Sequence, residues 1–261
     1  IACWNYYCLT RDGQWLRAKA FPLMKAVADF WVSRVTRNDD GSYSICNVVG
    51  ADEYANGVDD NAFTNGAAIR ALEYACEAAK ICNEPVPEIW EEVGKGIRIL
   101  RFKDGVTREH ATYNGEMIKQ ADVNLLGYPL YFVGDAESQK KDMEYYVDKI
   151  DPQNGPAMSY SVFCVQYARM GDAKRAYEMF CRCYQPNLRA PFGVLAETPT
   201  SDNPYFMTGA GGLLQAVING FCGLQITDGG VEQLSSVLPA HWKKVTVKGV
   251  EPEKKMYVRE R

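Results

Sequence analysis

Hydrophobic residues recur every three or four positions through most of the chain, which is the spacing of helices that bury one face. Between these stretches lie polar segments rich in glycine, asparagine and proline, which are typical of loops. We predict helices at residues 21–35, 61–80, 87–100, 117–127, 139–149, 158–170, 173–183 and from Thr208, as the N-cap, to about 224. The pattern therefore predicts a mainly α fold of consecutive helices joined by loops of uneven length.

Two of these helices have an apolar stripe that can be read residue by residue. The predicted buried stripes are Met24, Val27, Trp31 and Val35 in the first, and Ala62, Ile69, Leu72, Cys76 and Ala79 in the second. Positions three, four or seven residues apart lie on one face of a helix. Each stripe should therefore face a core.

The pattern changes after Asp228-Gly229-Gly230, where alternation replaces the helical spacing. Val245 and Val247 alternate with polar residues, and short apolar runs at 237–239 and 256–258 read as further strands. We therefore predict two parts: residues 1–229 as part of a helical domain, and residues 230–261 as the start of a small β domain.

Composition excludes several classes of function. The 261 residues carry a net charge of -4 and contain no run of Lys or Arg, so a nucleic-acid partner is not expected. The uncharged run 203–227 resembles a membrane span in length, but it contains Gln215, Asn219 and several glycines. A buried helix is the better interpretation, and no membrane partner is expected.

Cysteine and histidine usage bears on cofactors and compartment. The nine cysteines are scattered through helical patterns rather than forming a disulfide framework, which favours the cytoplasm over a periplasmic or secreted location. His110 and His241 are far apart and form no zinc signature, so neither a metal nor another cofactor is predicted. Because the chain starts at Ile1 within a helical pattern, we expect it to be part of a longer chain whose missing N-terminal part is its partner.

Candidate chemistry lies in the long loops at 38–60, 103–116 and 189–207, because loops of that length in a compact domain are commonly functional. The first loop has acidic residues just before a helix, and Asp60 is best explained as a helix cap. Glu53 lies further upstream, near Tyr43, Tyr54 and Phe63 in the sequence. A carboxylic acid between aromatic side chains keeps its proton more readily, which suits a general acid.

A second acid, Glu197, lies in an apolar part of the third loop. Lys119-Gln120 opens the predicted helix after the second loop and carries donors and acceptors suited to sugar hydroxyls, although it could equally be a solvated first turn. Two carboxylates on separate loops suggest glycoside cleavage, in which one protonates the leaving oxygen while the other attacks the sugar or activates water. Glu53 and Glu197 could equally be exposed or capping residues.

Four segments resemble glycoside hydrolase family 65. GADEYANGVDDNAFTN at residues 50–65 is similar to the family's catalytic-acid segment, and IKQADV at 118–123 is similar to its KQADV motif. TGAGGLLQAVINGFCGLQI at 208–226 resembles its late barrel helix, and LPAHWKKVTVKGV at 238–250 resembles the start of its C-terminal β domain. The order is that of the family, and the matches extend over most of the chain.

The resemblance implies the C-terminal two-thirds of an (α/α)6 toroid, followed by a short β appendage, acting on α-glucosides with inversion. Members of the family are phosphorylases of maltose, trehalose or kojibiose, and hydrolases of kojibiose or of the glucosyl-galactosyl unit of collagen. By motif position Glu53 is the general acid, and Lys119 and Gln120 hold hydroxyls of the cleaved glucose. Asp52 and Tyr54 are expected to assist in substrate binding.

Hydrolysis and phosphorolysis differ in whether a base is needed. Glu197 lies in the loop where the hydrolase branch has its base, which favours hydrolysis, with carboxyl groups roughly 6.5–9.5 Å apart for inversion. Thr208 to Gly211 at a helix start could instead bind phosphate, as in a phosphorylase that releases β-glucose 1-phosphate. A non-catalytic carbohydrate-binding fragment is the third interpretation.

Overall fold

The computed structural model describes residues 1–132, 135–203 and 205–261. These residues form two compact units. Unit 1 comprises Ile1–Ala51, Ala55–Asn114 and Ile226–Gly230, and unit 2 comprises Asp52–Tyr54, Gly115–Gln225 and Val231–Arg261. The predicted boundary between residues 229 and 230 does not coincide with this division and stays a prediction.

Helices dominate both units, as the sequence predicted. The helices are α1 (Ala2–Thr10), α2 (Gly13–Trp15), α3 (Phe21–Arg34), α4 (Ala62–Cys82), α5 (Glu88–Gly96), α6 (Ala136–Tyr146), α7 (Met158–Arg169), α8 (Ala173–Arg182) and α9 (Met207–Gln215). Short π-helical segments at Leu16–Ala20 and Ala216–Phe221, and 3-10 turns at Val123–Leu126 and Gln185–Asn187, supplement them.

The strands are short. They are β1 (Val35–Arg37), β2 (Tyr43–Ile45), β3 (Val48–Val49), β4 (Asn56–Val58), β5 (Leu188–Arg189), β6 (Val194–Leu195), β7 (Leu224–Thr227), β8 (Gly230–Gln233), β9 (Lys244–Val250) and β10 (Lys255–Glu260). The strands β1 and β2, β3 and β4, β5 and β6, and β9 and β10 form antiparallel pairs.

In unit 1, α4 packs against α3 and α5. All five residues of its predicted stripe are buried, which confirms that face of the helix. The stripe predicted for α3 is partly wrong. The buried residues are Phe21, Met24 and Ala28, whereas Val27 is exposed, so the buried face is rotated from the predicted one.

The residue that caps α4 is Asn61, not Asp60. The Asn61 side chain accepts the N–H of Thr64 at 2.9 Å, which satisfies a free donor of the first turn. Asp60 is 1% exposed and pairs with the Arg98 guanidinium at 2.6 Å, and it also accepts the hydroxyl of Ser44. The buried carboxylate therefore forms an ion pair with a partly exposed guanidinium, a long-range contact that sequence spacing does not reveal.

In unit 2, α7 is the central helix, since every residue from Ser159 to Ala168 is buried. It packs against α8, α9 and the π-helical segment that follows α9. The α9 helix begins at Met207 with Phe206 at the N-cap, so the prediction that Thr208 caps this helix is wrong. A Cβ on Gly212 would lie 2.6 Å from Oγ of Ser161, so glycine permits α9 to lie close to α7. Within the described ranges, no helix has the length and apolarity to cross a membrane.

The predicted helix at 117–127 is wrong. The segment is a loop that ends in the 3-10 turn Val123–Leu126, because tertiary partners take its main-chain donors. The N–H of Lys119 donates to Asp52 at 2.7 Å, and that of Ala121 donates to Oγ of Ser159 at 3.1 Å. An α-helix would have directed these N–H groups elsewhere, to its own carbonyls or to water.

The C-terminal segment contains β9 and β10, which pair antiparallel with Tyr257 opposite Val247. This hairpin confirms the predicted strands around 243–248 and 256–258. Residues 237–239, also predicted as a strand, adopt no regular structure. The short apolar run there packs through Leu238, which is 5% exposed, rather than through a strand ladder.

Candidate active site

The loop between β3 and β4 carries three successive candidate residues, of which the first points inward. Asp52 is 2% exposed, and its carboxylate accepts the N–H of Lys119 at 2.7 Å and that of Tyr54 at 3.2 Å. Its own N–H donates to a carboxylate oxygen of Asp122 at 3.3 Å. Asp52 therefore joins the loop of Glu53 to the loop of Lys119. Its Oδ1 accepts both of these main-chain N–H groups.

Glu53 projects toward solvent, with 58% of its side chain exposed, and forms an ion pair with the ammonium of Lys119. The sequence suggested instead that aromatic side chains enclose this carboxyl group. In unit 1, the hydroxyl of Tyr43 donates to Glu92 at 2.6 Å. Glu53 thus has a charged partner and open space in front of it, where a substrate oxygen could reach it.

Glu197, from the loop after β6, faces the same lysine. Its Oε1 lies 3.9 Å from Nζ of Lys119, and 34% of its side chain is exposed. Hydrogen bonding to Glu53 and the negative charges of Glu53 and Glu197 raise the pKa of Lys119, against the opposing effect of burial. The lysine is therefore firmly protonated and lies between two carboxylates that come from distant parts of the sequence.

The loop of Lys119 is fixed by its main chain. Ile118 pairs with Ile150 as a parallel bridge, and a Cβ on Gly155 would collide with the carbonyl oxygen of Asp151 and lie 3.0 Å from that of Lys119. Gln120 follows in the same loop and is 9% exposed. The close packing leaves Lys119 with freedom mainly in its side chain.

The side chain of Tyr54, which follows Glu53, bonds to a partner that the sequence did not suggest. Its hydroxyl donates to Oδ2 of Asp151 at 2.8 Å. Asp151 also accepts the main-chain N–H of Gln153 at 2.8 Å and both the main-chain and side-chain N–H groups of Asn154 at 3.0 Å. These donors hold the pKa of Asp151 well below its usual range, with the Asn154 main chain as the largest cause.

We expect Asp151→Asn to lower the melting temperature at pH 7, because the amide replaces a carboxylate that several N–H and O–H groups favour in its charged form. A folded-state pKa below the unfolded one contributes stability that is present above about pH 4 and is lost as the pH falls further. Thermal unfolding at pH 7 should show a loss of about 2–4 °C. The difference should shrink toward pH 2.

The control for this variant is Asp148→Asn, which changes an exposed carboxylate in the same segment. It should leave the melting temperature nearly unchanged at both pH values. A melting temperature of Asp151→Asn equal to that of the unchanged protein at pH 7 would contradict the stabilising role of this turn.

The structure brings the sequence-predicted site residues together in unit 2. Lys119 contacts both Glu53 and Glu197, Asp52 and Tyr54 hold the main chain on either side of Glu53, and Gln120 adjoins Lys119. Sequence reasoning missed Asp151 and Asn187, which support the loops. The run Asp151 to Gly155 has the composition of a tight turn, but its position beside Tyr54 depends on the tertiary fold.

Among the described residues, no group of three or more His, Cys, Asp or Glu side chains is arranged to hold a metal ion. The site consists of two carboxylates, one ammonium and amide groups. These groups can donate and accept protons and bind hydroxyls.

Comparison with known proteins bears directly on this site. Residues 1–104 match the model of the glycosyl hydrolase family 65 central catalytic domain. A kojibiose hydrolase of Mucilaginibacter mallensis is 51% identical over 99% of this chain and 38% of its own length. A protein-glucosylgalactosylhydroxylysine glucosidase of Dictyostelium discoideum is 37% identical over 89% of this chain and 33% of its own length. The chain thus spans well under half the length of these relatives.

A solved structure from the human microbiome, whose name suggests a kojibiose phosphorylase, superimposes with a TM-score of 0.75 at 17% identity. It covers 100% of this chain and 44% of its own chain. This likeness confirms the fold class predicted from the sequence, a fragment of an (α/α)6 toroid with a short β appendage. The match to the family model and the similarity to these relatives show that the chain belongs to glycosyl hydrolase family 65.

Proposed function

We propose that this chain carries the two catalytic carboxylates of an inverting hydrolase of α-glucosides. Glu53 protonates the glycosidic oxygen, and Glu197 removes a proton from the attacking water. The single observation that carries the proposal is that one ammonium, that of Lys119, contacts both carboxylates. The two side chains therefore border one shared space.

Lys119 has a second role in this proposal. A general acid must hold a proton when the substrate is bound, so the ion pair between Glu53 and Lys119 has to open. Hydroxyl oxygens of the incoming glucose can accept hydrogen bonds from the ammonium of Lys119, and Gln120 can bind further hydroxyls from the same loop. Binding of the sugar thereby exchanges an ion pair for hydrogen bonds and leaves Glu53 beside the leaving oxygen.

Hydrolysis is favoured over phosphorolysis by the charge of the site. Phosphate is itself an anionic nucleophile and needs no base, and the carboxylate of Glu197 would repel it. The alternative phosphate site was the glycine-containing start of α9. Gly209 and Gly212 are explained there by close packing on Ala157 and Ser161. Close packing therefore accounts for two of the three glycines at this helix start, whereas nothing lies within 4 Å of a Cβ placed on Gly211.

The substrate class follows from the named relatives. One is named a kojibiose hydrolase and another a glucosidase of glucosylgalactosylhydroxylysine. We therefore propose α-linked glucose joined to a second sugar as the substrate, with kojibiose-like disaccharides tested first and glucosyl-galactosyl units second. A phosphorylase of the same family and a non-catalytic carbohydrate-binding protein are the two alternatives.

The test is made on the protein at its natural full length, because the chain spans only 38% of its bacterial relative. Kojibiose is hydrolysed in phosphate-free buffer while proton NMR follows the anomeric signals. We expect β-glucose to appear first from the cleaved α-glucosyl unit, before mutarotation restores the equilibrium mixture. This result requires water to attack the face opposite the leaving group.

Other outcomes of these assays would contradict inversion or support one of the two alternative functions. Initial release of α-glucose would contradict inversion. Turnover that requires phosphate and yields β-glucose 1-phosphate would identify a phosphorylase. Calorimetric binding of glucose or kojibiose without any turnover would support a non-catalytic protein.

A further inference from the structure

We propose that Asn187 and Arg189 are positioning residues that fix the main chain on either side of Glu197. The inference rests on the proposed function, because it assigns these residues to a base that the reaction requires. Both residues belong to one short segment, the end of the 3-10 turn Gln185–Asn187 and strand β5. Neither was a candidate in the sequence.

Asn187 holds the main chain up to and including Glu197. It is 2% exposed, and its side-chain amide donates to the carbonyl oxygens of Ala196 at 3.1 Å and Glu197 at 3.0 Å. Its own carbonyl accepts the N–H of Ala196 at 2.8 Å. The Glu197 carbonyl also accepts the N–H of Ala157 at 3.1 Å, so the main chain of the proposed base is held from two sides.

Arg189 holds the main chain just after Glu197. Its Nη2 donates to the carbonyl oxygens of Thr198, Pro199 and Ser201 at 3.2, 2.8 and 2.8 Å. Its Nη1 donates to the carbonyls of Pro186 and Leu188, both at 3.1 Å. A planar guanidinium with five N–H donors can join two main-chain segments in this way, whereas a lysine ammonium has three donors on one atom.

These contacts matter because the segment has little other support. After β6 ends at Leu195, the described residues through 203 form no helix or strand. Thr198 and Ser201 also bond to each other across a turn, and the hydroxyl of Thr200 donates to the Gln153 carbonyl at 3.1 Å. A loop without a ladder owes its position to such side chains. A base displaced by about 1 Å can cost roughly 100-fold in rate. Holding the main chain fixed therefore controls where the carboxylate of Glu197 meets the water.

The test uses Arg189→Lys in the full-length protein, with two substrates. Kojibiose needs both a general acid and a base, whereas the fluoride of α-glucosyl fluoride leaves without general-acid assistance, so its hydrolysis depends mainly on the base. We expect kcat to fall about 10- to 100-fold on both substrates, with KM changed less than about threefold. The equal loss on the fluoride is the signature of a misplaced base.

A purely structural role predicts a different pattern, in which the melting temperature falls but kcat, measured well below it, does not. Arg175→Lys is the matched control, since Arg175 pairs with Glu144 on the surface of the same unit. Asn187→Ser is assayed in parallel and covers the case that Arg189→Lys does not fold. Unchanged kcat on both substrates in a folded variant would overturn the inference. Absence of hydrolysis by the unsubstituted protein would instead overturn the proposed function.

Discussion

Glu197→Gln should abolish hydrolysis of kojibiose by the full-length protein, with kcat reduced by about 1,000-fold or more. The amide has nearly the shape of the carboxylate but cannot take a proton from water. The same loss is expected with α-glucosyl fluoride, because fluoride departure does not replace activation of the nucleophile. Initial rates on both substrates measure the effect.

Azide provides an independent check on the role of Glu197. In Glu197→Ala, azide can occupy the space of the missing side chain and attack the anomeric carbon without losing a proton. The bond from azide to that carbon forms as the glycosidic bond breaks, and Glu53 gives its proton to the leaving oxygen. The expected product is β-glucosyl azide, which has the inverted configuration.

The matched control is Glu137→Gln, which neutralises a carboxylate that is 80% exposed at the start of α6. It should leave kcat and KM unchanged. Hydrolysis by Glu197→Gln within a factor of three of the unsubstituted protein would remove Glu197 from the mechanism.

Much of the helical architecture was predictable because helical burial leaves a local trace. In α4 the apolar spacing and the change to polar residues identify the helix and its buried face without reference to the rest of the fold. The segment 117–127 was mispredicted although it is also apolar. Its N–H groups bond to Asp52 and Ser159, and such distant partners leave no periodic signal.

The same distinction between local sequence signals and long-range contacts applies to the residues of the candidate site. Glu53, Glu197, Lys119 and Gln120 were identified because they occur in motifs or in an otherwise apolar loop. Their convergence could be expected only from the family resemblance, because spacing alone does not predict which loops meet.

The supporting residues were not predictable at all. Asn187 and Arg189 bond to main-chain carbonyls, which any sequence provides, so only the folded structure reveals the contacts. The environment of Glu53 was also mispredicted. Neighbouring aromatic residues in the sequence suggested an enclosed carboxyl group, whereas its partner in space is Lys119.

The second large effect is expected for Glu53→Gln, and its pattern differs from that of Glu197→Gln. Without a proton donor, departure of the sugar alkoxide from kojibiose becomes the difficult step, and kcat should fall by about 100- to 10,000-fold. Fluoride leaves as a stable anion, so hydrolysis of α-glucosyl fluoride should fall less than about tenfold. Parallel assays of the two substrates separate the acid from the base.

The comparison also tests the contact with Lys119. Removal of the Glu53 charge frees the ammonium of Lys119 for the sugar, so KM should stay constant or fall while kcat falls. Equal losses of Glu53→Gln on kojibiose and on the fluoride would contradict the acid role, because a proton donor assists only the leaving group that needs a proton. With Glu137→Gln again as the control, a loss mainly on kojibiose in Glu53→Gln and an equal loss on both substrates in Glu197→Gln would assign the acid to Glu53 and the base to Glu197.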